Sequence, residues 1–407
     1  MRLLWLETKR ILKSRLTVCM IMMAVIFSLL MAYVPVSFYN CANPSGDKEY
    51  LSGFDALRTM KEIRSDIEGP IEHEDIKAAV KSYQEVTRTY GVDSEYSLPT
   101  EGKVETAKYE FLFWRIKEAY GPENGLGANL NTLDVENIDE FYSSISKHLQ
   151  YNMMLEQKQY PAAQETAIKM FEKVNTPYQY YVGADSTVVD YEELLILIIS
   201  LCCIVIVAPT FSTDHQTGAY DILRCTRYGR RKLAIIRISS SLIITIGMCI
   251  LSLSTWGATT LAIWGSNGMQ TSIQILFSVI NLINLNIGKL MLLLAICGTT
   301  MIISCACLSL FISSCASKNM ISLILSLTAF MMPIILGWIL PNNIADYVKA
   351  LFPSGGIGLQ NSILLDIVDF KFLNIGSLAI WTPYLVMFFA ILEIPFWILM
   401  TIRNHIS

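Results

Sequence analysis

The chain has 407 residues, of which 53% are hydrophobic and only 16% charged, with a mean hydropathy of +0.44. Soluble proteins carry about 25% charged residues, so this chain lacks the polar surface for two or three water-soluble domains. Its formal charge of −4, from 31 Lys and Arg against 35 Asp and Glu, argues against a nucleic-acid binder.

The first fifteen residues, MRLLWLETKRILKSR, read as a basic amphipathic helix. A bilayer-spanning helix needs about 20 mostly apolar residues. Six blocks meet that length: 16–38, 194–211, 233–264, 290–314, 320–340 and 380–402. The first has a long amphipathic flank and no A-x-A site, so it is expected to be a retained helix and not a cleaved signal. The stretch 273–287 is shorter and carries Gln274, Asn281, Asn284 and Asn286, and it reads as an interfacial segment within 265–289. The fold class expected is an all-α polytopic membrane protein of six spans, with a helical extracytoplasmic domain at 39–193 between spans one and two.

That insert shows helix-period apolar spacing. Phe54, Leu57, Met60, Ile63 and Ile67 form one run and Ile76, Val80, Tyr83 and Val86 a second. A third, over 104–120, holds Phe111, Leu112, Trp114 and Ile116. Asp134 caps a fourth, and Pro161 opens a fifth. No strand is expected, and the aromatics read as core. His73, beside Glu72, Glu74 and Asp75, has half of a zinc motif but no second His four residues on, so an acidic helix N-terminus is the better reading.

Orientation follows the basic residues. Arg2, Lys9, Arg10, Lys13 and Arg15 place the N-terminal arm in the cytoplasm. Alternation then puts the loop 212–232, Lys318 and the tail 403–407 inside, and the insert, 265–289 and 341–379 outside. The insert holds 28 acidic and 15 basic residues, a net of −13. Trp264, Trp338 and Trp381 fall at the outer edges, where indole rings favour the headgroup layer. Seven cysteines lie inside apolar blocks, where they read as small packing residues and not as metal ligands. Only Cys41 is expected outside, so the insert has no partner for an internal disulfide.

The most informative stretch runs from Phe211 to Arg237. A helix leaves the membrane at Phe211, Asp214 follows, and then come Gly218, the pair Ile222-Leu223, the basic turn Gly229-Arg230 and Arg237. This pattern resembles the membrane subunit of ABC-2 type (type V) ABC exporters: F-x-x-E, Gly, a hydrophobic-Leu pair, a small-residue/basic turn and a Lys in the third helix. Asp stands for Glu here and Arg for Lys. The amphipathic N-terminal helix, six spans with both ends inside, an external insert and a re-entrant segment (here 341–379, around Pro353-Ser-Gly-Gly356) also resemble that family.

The resemblance implies a permease subunit in a bacterial plasma membrane, multi-pass, with both termini cytoplasmic. It pairs with a second copy or a sister permease and moves an amphiphilic cargo (peptide, lipid or drug) outward. The chain has no G-x-x-x-x-G-K-[ST] and no G-x-S-x-G, so no catalytic residue, metal or cofactor is expected in it. ATP and Mg would belong to a separate ABC ATPase subunit. Coupling to that subunit would run through Asp214, Gly218, Tyr220, Ile222, Leu223, Arg224, Arg227 and Arg230, with membrane lipid at the rim. Glu393, about nine residues from the inner end of the last span and so roughly 14 Å deep by helix rise, marks a transport pathway or a carboxyl bonded to a neighbouring Ser or Thr. The competing reading is a membrane sensor or scaffold that relays a signal from the insert without moving cargo.

Overall fold

The computed structural model describes residues 2–45, 49–121, 127–226, 231–358, 362–375 and 378–406. It is mostly helical, and six helices are long and apolar enough to cross a membrane. They are Arg15–Phe38, Ser186–Thr217, Arg231–Trp264, Ile287–Cys315, Asn319–Ile339 and Thr382–Ile406. The chain thus has the architecture of an all-α multi-pass membrane protein. The second and fourth spans are the most enclosed. The fourth packs on the second, third, fifth and sixth, while the first lies against the second and third. The N-terminal helix Arg2–Leu12 lies across the third span and leaves Leu3, Trp5 and Leu6 exposed.

The second span differs from its expected bounds. It begins at Ser186, capped by Asp185 accepting from Thr187 N at 3.1 Å, and continues past residue 211 to Thr217. Hydropathy alone starts it at Leu194 because Glu192 and Glu193 precede that residue, yet both are buried by neighbouring helices.

The insert folds as helices Gly53–Arg64, His73–Tyr90, Thr100–Thr106, Glu110–Ala119, Phe141–Glu156 and Pro161–Phe171. The run expected over 104–120 is therefore broken in two. The core holds Ile76, Leu112, Ile116, Phe141 and the edge-on pair Tyr83–Phe113 at 5.0 Å. Several aromatics lie outside the core, among them Tyr96, 78% exposed, Trp114, 52% exposed, and Phe54. The acidic run around His73 is a capping box: Glu72 N donates to Asp75 Oδ2 at 2.9 Å while the Glu72 side chain accepts in return. Two short antiparallel ladders add to the helices, Asn40–Ala42 with Tyr50–Ser52 and Gly69–Pro70 with Gln179–Tyr180.

The segment 273–287 packs into the protein. Ile273, Ile275, Val279, Ile280 and Leu282 are buried, and polar bonds bind the segment and its flank to the insert. Tyr178 OH donates to the Val279 carbonyl at 2.9 Å, Gln179 N to Ser272 Oγ at 2.9 Å, and Arg115 to the Phe277 carbonyl at 2.5 Å. Gln274 turns inward and donates to the carbonyls of Asn281 and Ile283. Polar residues that made the stretch look amphipathic therefore tie its own turn. Gly183 meets Gly268 backbone to backbone at the crossing, where a Cβ on Gly183 would stand 2.5 Å from the Gly268 Cα.

Between spans five and six, helix Asn342–Lys349 leads into a turn whose Ser354 hydroxyl donates to the Phe330 carbonyl of span five at 2.7 Å. Gly356 lies against Met301 of span four and Val386 of span six. Helix Ile363–Val368 and the hairpin Phe372–Ile375 with Leu378–Trp381 return the chain to span six. Buried Lys349 pairs with buried Asp366 at 2.6 Å, each charge supplying the counter-ion the other needs. Trp338 is 77% exposed, whereas Trp264 and Trp381 are buried, set edge-on to Tyr39 and Tyr384, because the insert and the hairpin cover those helix ends.

Candidate functional site

The end of the bundle opposite the insert is built around an interruption in the second span. Pro209 has no N–H to give the preceding turn, and the helix ladder opens there. Ser313 of span four fills the opening. Its hydroxyl donates to the Ala208 carbonyl at 2.6 Å and accepts from Phe211 N at 3.0 Å and Ser212 N at 3.2 Å. Ser322 of span five donates to the same carbonyl at 2.6 Å. In hydrocarbon such freed backbone groups must find partners inside the protein, and the serines supply them. One turn on, Asn319 Oδ1 accepts from Ser212 Oγ at 2.8 Å, and Asn319 N donates to Gln216 at 3.0 Å.

Asp214 is buried and bonds Arg237 of span three directly. Arg237 Nε also lies 3.3 Å from Glu7 Oε1 on the N-terminal helix, and its guanidinium sits 5.8 Å from the Phe211 ring centre. Three helices therefore meet in one buried cation between two carboxylates. Asp214 is committed to this interior cluster and does not face outward as a docking residue.

Gly218 ends the helix with φ +70°, a left-handed conformation that costs an L side chain roughly 1–2 kcal/mol. The turn redirects the chain into a separate short helix, Ala219–Arg224. On it Ile222 is 73% exposed and Leu223 half-buried. Tyr220 turns inward, its ring 4.1 Å from His215 and 5.5 Å from His405 of the last span. Of the three apolar residues expected to face a partner, Ile222 is the one fully presented. Arg224 closes this helix, with its side chain outside the described residues; Arg227 and Arg230 lie outside them entirely.

Glu393, in the last span two residues before Pro395, accepts from Ser304 of span four at 3.2 Å. This is the bonded arrangement weighed in the sequence, with the carboxyl half-buried between two spans. The sequence reading missed Glu7, although it is the sole acid among the first 38 residues and so stood out. Ser313 left no signal in the sequence. Glu192 was also missed: it is fully buried, and neither carboxylate oxygen has a partner among the described residues. Comparisons with protein-family models, with curated proteins and with solved structures return no match.

Proposed function

We propose that this chain is the permease subunit of an ATP-driven exporter of the ABC-2 type, exporting an amphiphilic cargo. It would work in a bacterial plasma membrane with both termini cytoplasmic, beside a second copy or a sister permease. A separate ABC ATPase would bind ATP and Mg. The observation that carries this reading is the presentation of Ile222. A short helix hangs from a left-handed glycine, its apolar tip in solvent, while the span just before it is locked to three neighbours by Asp214–Arg237–Glu7 and by Ser313 and Ser322. An exposed isoleucine on a rigid root suits a piece that enters a cleft on another protein and passes its push to the bundle.

The test is co-purification of the ATPase with membrane-inserted full-length protein. Ile222→Asp with Leu223→Asp is expected to abolish ATPase recruitment while insertion and yield stay unchanged. Undiminished recruitment would leave the short helix as a topological anchor, and the sensor or scaffold reading would replace this one.

A further inference from the structure

Span three carries a line of buried polar side chains. Ser252, Trp256, Thr260 and Trp264 recur every four residues along one side of the helix, and all four are buried. Neither hydroxyl and neither indole N–H has a hydrogen-bond partner among the described residues. Thr255 and Thr259 of the same helix behave differently, each donating to the carbonyl four residues back. Ser252 and Thr260 are therefore turned away from their own backbone. A buried donor left without an acceptor costs about 1–3 kcal/mol, so a line of four calls for something to receive them.

Glu192 of span two stands level with this line. The two spans are tied at both ends, by Cys203 within hydrogen-bonding reach of Cys249 and by the backbone crossing of Gly183 with Gly268. Glu192 lies eleven residues from Cys203, and Thr260 eleven from Cys249. Eleven residues make three turns, roughly 16 Å, so both side chains keep the facing side of their helix. Glu193 turns elsewhere, to Leu364 N, Asp366 and Cys297. It is the charged group set against Glu192, and it has the same sign. The stretches 16–38, 238–264, 290–314 and 320–340, from the spans packed on span two, contain no charged residue. Lys289 at the head of span four and Asp190 on span two are exposed, and Arg64 of the insert holds Ala107 and Tyr180. Among the described residues, then, no cation offsets Glu192.

We propose that Glu192 is an intramembrane proton-binding site, which carries its proton in the arrangement described here and exchanges it with solvent at the insert end along the polar edge of span three. The donor chemistry selects a proton over a metal cation, since an indole N–H donates and cannot coordinate. Release moves one proton from the carboxyl to water. It leaves a carboxylate that the Thr260 hydroxyl and the Trp256 N–H reach as donors once spans two and three close up. The line ends near solvent. The Trp264 carbonyl accepts from Lys61 Nζ at 3.3 Å, and Lys61 and Ile263 border an open cleft of about 590 Å³ between the insert and span three. The proposal needs only the pairing of spans two and three and is independent of the exporter reading.

The experiment titrates full-length protein in nanodiscs while its infrared carboxyl bands are recorded against those of E192Q. The parent-minus-variant spectrum should show a carboxylic-acid C=O band that is present at neutral pH, shifts in D2O and gives way to carboxylate bands as pH rises. Thr260→Val and Trp256→Phe each remove one donor to the ionised form. Each should tighten proton binding about tenfold, read as a rise of about one pH unit in the midpoint of that band. Thr259→Val, whose hydroxyl serves its own helix, should leave the midpoint where it is. These three variants keep the proposal testable if E192Q inserts poorly. A difference spectrum with carboxylate bands alone would make Glu192 ionised throughout, and an acid band that never titrates while the protein stays folded would make it a packing group. Either result overturns the site, as does a midpoint unmoved by both donor variants. Loss of the acid band on adding sodium at fixed pH would overturn it too, in favour of a cation site.

Discussion

At the insert end of the molecule, two buried arginines hold backbone. Arg64 donates to the Ala107 carbonyl at 2.8 Å and to Tyr180 OH at 2.9 Å, and Arg115 donates to the Phe277 carbonyl and to Glu118, its neighbour on the same helix. At the opposite end, Arg237 holds two carboxylates from two other helices, Glu7 and Asp214. The insert-end arginines cross to other segments mainly through neutral carbonyls, since Glu118 is on the Arg115 helix and Glu110, 3.5 Å from Arg64, is exposed. Arg237 crosses to both other helices through carboxylates. Loss of the cation therefore leaves a buried charge behind at one end and only unfilled backbone acceptors at the other.

The sharpest way to break this comparison is to remove the arginines. Arg237→Met leaves buried Asp214 without its cation, while half-buried Glu7 keeps Arg10 at 2.5 Å; breaking a buried pair typically costs about 3–5 kcal/mol, and the folded yield and thermal midpoint in nanodiscs should fall accordingly. Combining it with E7Q and D214N should recover most of the loss, because no buried charge then remains. If Arg115→Met costs as much and the triple variant recovers nothing, the distinction between the two ends disappears.

A smaller effect is expected from Ser313→Ala, which leaves Phe211 N and Ser212 N without their acceptor and takes one donor from the Ala208 carbonyl. An unsatisfied buried group costs about 1–3 kcal/mol. Thermal stability should drop well below that of Ser254→Ala, whose hydroxyl serves a carbonyl of its own helix on an exposed face. Gly218→Ala tests the turn alone. Nothing lies within 4 Å of the added Cβ, so the cost is the backbone term of roughly 1–2 kcal/mol. It should appear as faster amide exchange in 217–224 with the bundle unchanged.

The mildest effect concerns pH at the insert end. Burial holds the His148 imidazole below its ordinary value of 6.5, partly opposed by Glu118. A depressed folded-state value means that the folded protein binds fewer protons than the unfolded chain in that window. The contribution is present above pH 6.5 and is lost as pH falls through the folded value. Amide protection in helix Phe141–Glu156, corrected for the intrinsic slowing of exchange in acid, should fall on acidification, and His148→Phe should remove that dependence. Retention of the full pH response in His148→Phe would assign it to another group.

The six spans were legible because an apolar run is a local property of the sequence. The same reasoning failed at Glu192 and Glu193, where burial comes from neighbouring helices and not from composition. Nor does it reveal the burial of 273–287, whose flanking Thr271 and Ser272 bond residues about ninety positions away in the insert. At the candidate site, Gly218 and the Ile222-Leu223 pair were legible as a breaker followed by apolar residues in a polar loop. Asp214 and Arg237 were visible as motif positions, but their contact was not, since it depends on how spans two and three pack. The inward turn of Tyr220 depends likewise on His405, near the far end of the chain.

The doubly held carbonyl of Ala208 has a mechanical consequence. Because spans four and five both grip the second span at its break, the nine residues Pro209–Thr217 belong kinematically to those spans and not to the upper length of their own helix. A load applied at Ile222 reaches span four at Ser313 before it reaches Ser186. The Ala208–Pro209 joint is then a fulcrum, with Ile222 on the short arm and the insert-bearing end of span two on the long one.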